Sequence, residues 1–218
     1  MRLVASLKDV KTALVKTVMA AFLVSVSFHA SADTKEELQT KLSTLNALSS
    51  TFSQTVTRKD GSLVSQSSGR LALKKPDMFM LHTTSPDEQV LFTKGNTVYF
   101  YDPFVNQVSI FDKQELYSSP FMLLTSKSES VWGQYEVAKD GNGYVLKAKN
   151  PGQVVSIKLE LQGDLVSELY VQLKDGNTNH YTLSQVKTQV SDSSFEYKIP
   201  EDAQIDDERK SNRSVQSI

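Results

Sequence analysis

Apolar and polar positions alternate along most of this chain, and the alternation predicts strands. The centre is residues 73–111, LKKPDMFMLHTTSPDEQVLFTKGNTVYFYDPFVNQVSIF. Four short runs there, 78–81, 89–92, 98–101 and 105–111, are rich in aromatic and β-branched residues. Ser85-Pro86-Asp87, Lys94-Gly95-Asn96 and Asp102-Pro103 separate them. Runs of that composition bounded by turn residues read as a meander of antiparallel strands. Such a sheet has one face that must be covered and one that tolerates water. Upstream, residues 51–58 and 63–74 flank the turn Asp60-Gly61, the second run being long, polar and interrupted by Gly69.

Downstream the pattern repeats. Residues 135–138 and 144–148 flank Asp140-Gly141-Asn142-Gly143. Val155, Ile157, Leu159 and Leu161 alternate with Ser156, Lys158 and Glu160, a strict period of two. After Gly163-Asp164 the same holds for Leu165, Leu169, Val171 and Leu173 against Glu168, Gln172 and Lys174. Asp175-Gly176-Asn177 then turns into residues 181–190, and Phe195-Glu196-Tyr197 reads as a last short strand before Pro200. The sum is about eleven strands, nearly all antiparallel neighbours. A single twisted sheet of that width curls toward a barrel or splits in two.

Two segments break the pattern. In residues 34–48, Leu38, Leu42, Leu45 and Leu48 fall at i, i+4, i+7 and i+10, the stripe of an amphipathic helix. Asp33 or Thr34 is placed to cap it, with Glu36 and Glu37 in the first turn. Periodicity alone fits a helix over a filled core and a helix over a cavity. In residues 113–125, Pro120 sits where a helix starts, and Phe121-Met122-Leu123-Leu124 has no polar side. A second short helix is predicted here, continued over 129–135 around Trp132. A helix without a polar face is covered on both sides or touches an apolar ligand.

The N-terminus reads as an address. Arg2, Lys8, Lys11 and Lys16 precede an apolar run, 17–28, too short to span a bilayer comfortably, and Ala30-Ser31-Ala32 offers small residues for cleavage. A signal peptide over 1–32 is expected, followed by one domain over 33–218 whose last residues, about 209–218, form a loose tail. The exported part would carry 20 basic and 24 acidic residues, a balance that argues against a nucleic-acid partner. There is no cysteine, so the chain has no lipid-attachment thiol and no disulfide.

Candidate chemistry is sparse. The exported part has His82 and His180, and lacks G-x-S-x-G, H-E-x-x-H, Walker and G-x-G-x-x-G patterns. His82 stands near Thr84 and Ser85, but strand neighbours point to opposite faces, so no triad follows. The acids are scattered among turns and show no grouping for a metal or an acid–base pair. An enzyme is therefore not expected, nor a metal or cofactor; a lipid hydrolase is left without a nucleophile.

The runs KKPDMF, SPDEQVLFTKGNTVYFYDPFVNQV and SPFMLL, in that order, resemble the outer-membrane lipoprotein carrier (LolA) family of Gram-negative bacteria. The likeness spans most of the chain after the leader. It implies a mainly β (α+β) fold: an unclosed antiparallel half-barrel with an α-helical lid. It implies a monomeric periplasmic chaperone that shields the acyl chains of lipoproteins. The inner-membrane partner would be a lipoprotein-releasing ABC transporter, and the destination an outer-membrane lipoprotein receptor. A lipoprotein-sensing regulatory domain of the same fold is the alternative, disfavoured because only a short tail follows Pro200. The resemblance assigns the lid latch, an arginine in the family, to Lys75, which keeps charge and donors but lacks the planar fork; Arg70 and Lys74 are neighbouring substitutes. It assigns the acyl-chain cavity to Leu42, Phe79, Met122 and Leu124, with Leu81 where some relatives carry tryptophan. Without the resemblance, these apolar residues read as plain core.

Overall fold

The computed structural model describes residues 30–209. Most of the expected leader, 1–29, and nearly all of the expected tail, 210–218, lie outside the described residues. Helix α1 (Ala30–Ser43) leads into a meander of six strands: β1 (Ala47–Thr57), β2 (Leu63–Lys74), β3 (Met78–Ser85), β4 (Gln89–Lys94), β5 (Thr97–Asp102) and β6 (Gln107–Asp112). Two 3-10 turns, Lys113–Ser118 and Pro120–Leu124, and the one-turn helix α2 (Glu129–Trp132) follow. A second meander comprises β7 (Tyr135–Asp140), β8 (Gly143–Ala148), β9 (Val154–Gln162), β10 (Leu165–Leu173) and β11 (Thr178–Lys187). A 3-10 turn, Asp192–Phe195, and β12 (Gln204–Asp207) close the described chain.

All twelve strands form one sheet in the order β12-β6-β5-β4-β3-β2-β1-β11-β10-β9-β8-β7. The first and last strands of that order are not paired with each other, so the sheet is unclosed, as expected. The two meanders are joined at its middle, where β1 pairs antiparallel with β11. This arrangement dictates the rest. Strand β6 lies next to one edge and β7 forms the other, so the connection between them must cross the sheet. It crosses on the concave side.

The register sorts the side chains. Leu48, Phe52, Leu71, Leu73, Phe79, Val98, Leu146, Ile157, Leu159, Leu169, Val171 and Leu183 join the connecting segment in one buried cluster on the inner side. The intervening positions of the first meander, Ala72, Met80, Val90 and Phe92, form a second cluster on the outer side. That outer face is not left wet. The segment after β11 crosses it, and Phe195, Tyr197 and Ile199 pack there, with the Tyr197 ring near Phe92, Tyr101 and His82.

Three expectations are corrected. The first helix ends at Ser43 rather than 48. The hydroxyls of Ser43 and Thr44 bond back to the carbonyls of Thr40 and Lys41, capping the last turn, so Leu48 belongs to β1 and Leu45 to the link. Asp33 lies inside the first described turn rather than before it. Residues 195–197 are not a strand; Phe195 ends a 3-10 turn whose entry is capped by Ser191. The twelfth strand is instead β12, which pairs parallel with β6.

One glycine is required by close approach. At the β2–β3 irregularity beside Ser68, a Cβ on Gly69 would lie 2.0 Å from the His82 carbonyl oxygen and 2.8 Å from Thr83 Cα. Both are backbone atoms, so a strand would have to move. We expect Gly69→Ala to destabilise the fold by about 1–3 kcal/mol, measured by urea unfolding; an unchanged midpoint would show that β3 yields freely.

Candidate functional site

The segment that crosses the concave side is buried on every side. Phe121, Met122, Leu123 and Leu124 are 3%, 3%, 2% and 0% exposed. Pro120 begins the turn, and its backbone bonds close locally: Met122 N–H donates to the Ser119 carbonyl, and Thr125 and Ser126 N–H groups donate to the Met122 carbonyl. No strand of the described residues pairs with it. Side-chain packing is thus its attachment to the sheet. The Phe121 ring lies 4.9 Å from Tyr181 and 6.4 Å from Phe79, centroid to centroid, and Tyr181 lies 6.1 Å from Phe52. Trp132 of α2 is buried behind it, its Nε1–H donating 3.0 Å to the Ser126 carbonyl.

Helix α1 adds Leu38 and Leu42 to the same cluster, and the link after it adds Leu45. The polar side of α1 is tied to α2, to the edge strand β7 and to its neighbour β8. Lys35 Nζ and Gln39 Nε2 donate to the Glu129 carboxylate of α2 at 3.0 and 2.9 Å. Glu37 accepts from Lys139 of β7 and from the Tyr144 hydroxyl of β8 at 2.8 Å. Those bonds hold Glu37 below the usual carboxylate range, Lys139 contributing most. At the other end of α1, Lys75 Nζ donates to the carbonyls of Leu42 and Ser43 at 3.3 and 3.0 Å. These are last-turn carbonyls at the negative end of the helix dipole, a natural seat for a cation, and that of Leu42 also accepts from the Leu45 N–H. Burial lowers the Lys75 ammonium from the ordinary lysine range, and Lys127 acts in the same direction.

The structure therefore brings the predicted site residues together. Leu42, Phe79, Met122 and Leu124 are buried in one cluster, and Leu81, half-buried, packs against it. Lys75 joins the β2–β3 corner to α1. The neighbouring substitutes do not: Lys74 pairs with Asp192 on the outer face, and Arg70 lines an outer groove of about 470 Å³. The inner side is occupied by the protein's own side chains, and a cleft of about 260 Å³ opens at the margin between Pro76, Met122 and Val131.

A family model described as "Outer membrane lipoprotein carrier protein LolA" matches residues 43–198. The chain belongs to the LolA family. An outer-membrane lipoprotein carrier protein of Haemophilus influenzae is 37% identical over 196 residues, covering 88% of this chain and 95% of that protein. One of Pasteurella multocida is 36% identical over 197 residues, covering 88% and 94%. Among solved structures, an uncharacterized conserved protein of Thermus thermophilus superposes with a TM-score of 0.52 at 12% identity, over 79% of this chain and 98% of that one; this likeness concerns the fold alone.

Several residues of this LolA-family site carry no signal in the sequence. Glu129 and Glu37 meet partners 90 or more positions away, and nothing local marks them. Tyr181 and Phe52 sit in ordinary strand patterns. Tyr181 accepts a hydrogen bond from Gln54 Nε2 at 2.9 Å, and Gln54 Oε1 accepts from Ser67. Burial pushes the Tyr181 phenol up to about 12.

Two outcomes are expected. Lys75→Leu removes the donor to the α1 carbonyls, so amide exchange in α1 should quicken about three- to tenfold, the hydrogen bond being half-exposed, while Lys75→Arg preserves protection. Equal exchange in parent and Lys75→Leu would show that the contact holds nothing. For Tyr181, the folded state favours the neutral phenol. That contribution is full below about pH 10 and is lost as pH rises toward 12. Phenolate absorbance should show its titration delayed relative to the unfolded chain, with the closed packing loosening across that interval.

Proposed function

We propose that this protein is a periplasmic carrier that takes up the acyl chains of lipoproteins in the concave side of its half-barrel. On this reading, an exported chain receives cargo from an inner-membrane lipoprotein-releasing ABC transporter. It hands the cargo to an outer-membrane lipoprotein receptor and works as a monomer. The observation that carries the reading is the burial of Phe121–Leu124 without a sheet partner: an apolar plug held in an apolar trough by packing alone. Membership of the LolA family supports it.

The energetics favour a removable plug over an empty pocket. Three acyl chains carry about 45 methylenes, each worth about 0.8 kcal/mol out of water, some tens of kcal/mol in all. Reversible affinities stop near about −20 kcal/mol. A carrier that collected the whole transfer energy would not release its load. Displacing four large apolar side chains, at about 1.5–3 kcal/mol each, gives back about 6–12 kcal/mol. Loading is offset by the lid that it unseats, and the return of the lid favours release. Leu42, Phe79, Leu81, Met122 and Leu124 are the chain-contacting residues in this scheme. Lys75 is the latch that holds α1 over the mouth.

The test is co-purification from the periplasm. The protein should carry an acylated polypeptide at about one per chain, identified by mass spectrometry. Leu42→Asp should keep the strand signal in circular dichroism while bound lipoprotein falls at least about tenfold, because a carboxylate is expensive to hold against acyl chains. Normal loading of Leu42→Asp, or absence of acylated polypeptide from the parent protein, would count against the reading.

A further inference from the structure

One polar atom on the concave side has no role in the closed packing. Ser50 is 6% exposed, and its Oγ has no hydrogen-bond partner. Strand alternation places it. The β1–β2 register runs without shift from Ala47 to Val56, so Ser50 shares a face with Leu48 and Phe52. Its cross-strand neighbour is Leu71. All three of these belong to the cluster covered by the lid. For the closed state alone, alanine would serve better there, since a hydroxyl taken from water with nothing in return is a net loss.

An acyl chain brings one kind of polar group next to its hydrocarbon: the carbonyl of the ester or amide that attaches it. Such an oxygen accepts and, in an ester, has no proton to give. A serine hydroxyl supplies the donor. We propose that Ser50 is a cargo-recognition residue whose hydroxyl, once Phe121–Leu124 are displaced, donates to the linking carbonyl of an acyl chain. The inference rests on the carrier reading above and adds to it a polar contact that fixes chain position. Among the described residues the β1–β11 ladder is bulged beside this point, with one extra residue on β11 and Gln185 at φ 54.

A matched pair of lipids separates this step from the reading it rests on. Dioctanoyl glycerol has ester carbonyls; its dioctyl ether counterpart has none. Binding of each to the purified chain is read by displacement of a fluorescent fatty acid. The parent should prefer the ester about fivefold, the value of one net hydrogen bond. Ser50→Ala should bind the ether as the parent does and lose the preference, and Ser50→Thr should retain it. Ser50→Ala should also melt no lower than the parent, because the hydroxyl is unpaired in the closed state. A preference that survives Ser50→Ala, a parent that binds both lipids equally, or a lowered melting temperature would overturn the assignment. A parent that binds neither lipid would bring down the carrier reading itself.

Discussion

A sheet twelve strands wide that bends without closing presents one large apolar face, and something must cover it. The topology supplies the cover. Strand order places β6 next to the edge strand β12 and β7 at the opposite edge, so the chain between them traverses the inner side. In doing so it lays Phe121–Leu124 and Trp132 into the trough. A hydrophobic core is usually built from elements that cannot leave without unfolding the rest. Here the inner side is filled by a connection that is tied by backbone bonds to its surroundings at its ends, Lys113 to Asn96 and Gln134 to Lys149, while the turn that carries Phe121–Leu124 closes its backbone bonds locally.

The outer face meets the same requirement differently. Phe195, Tyr197 and Ile199 cover Ala72, Met80, Val90 and Phe92, and the chain then pairs as β12 alongside β6. The first meander is thus sandwiched between two crossings, one on each side. What sets them apart is backbone pairing: the outer crossing ends in β12, which is paired with β6, whereas Phe121–Leu124 pair with no strand of the described residues. Discrete polar contacts join the two parts of the inner cover to each other, Glu129 to Lys35 and Gln39, and join α1 to the sheet, Glu37 to Lys139 and Tyr144 and Lys75 to the end of α1. Exposed ion pairs of this kind are individually weak, and such contacts suit a cover that opens. The two lysine–carboxylate pairs each keep a solvent-exposed partner and weaken with salt.

How far the sequence discloses this depends on distance along the chain. The hairpins are legible because alternation and turn residues are local: Val155 to Leu161 reads as β9, and Asp140-Gly141-Asn142-Gly143 as the bend between β7 and β8. The apolar run after Pro120 is legible as an anomaly, though it folds as a 3-10 turn. The helix reads too long because Leu45 and Leu48 continue the stripe by coincidence, and the hydroxyls of Ser43 and Thr44 stop it. β12 is illegible, since Gln204–Asp207 is polar and acquires strand form only from Gln107–Ile110, about a hundred residues away. Ser50 is illegible in another way. A serine among serines in β1 looks like surface until the register puts it between Leu48 and Phe52. The family resemblance names Lys75 and the apolar lining, whereas the carboxylates that fasten the rim come only from the folded chain.

On the carrier reading, the buried connection and the acyl chains occupy the same place in turn. The chain's single tryptophan, Trp132, is 1% exposed behind that connection, so its fluorescence reports on the exchange without labels. Quenching by acrylamide should be weak in the empty protein and should strengthen when a diacyl lipid or a lipoprotein is bound. Cargo bound at full occupancy with Trp132 as shielded as before would contradict that exchange.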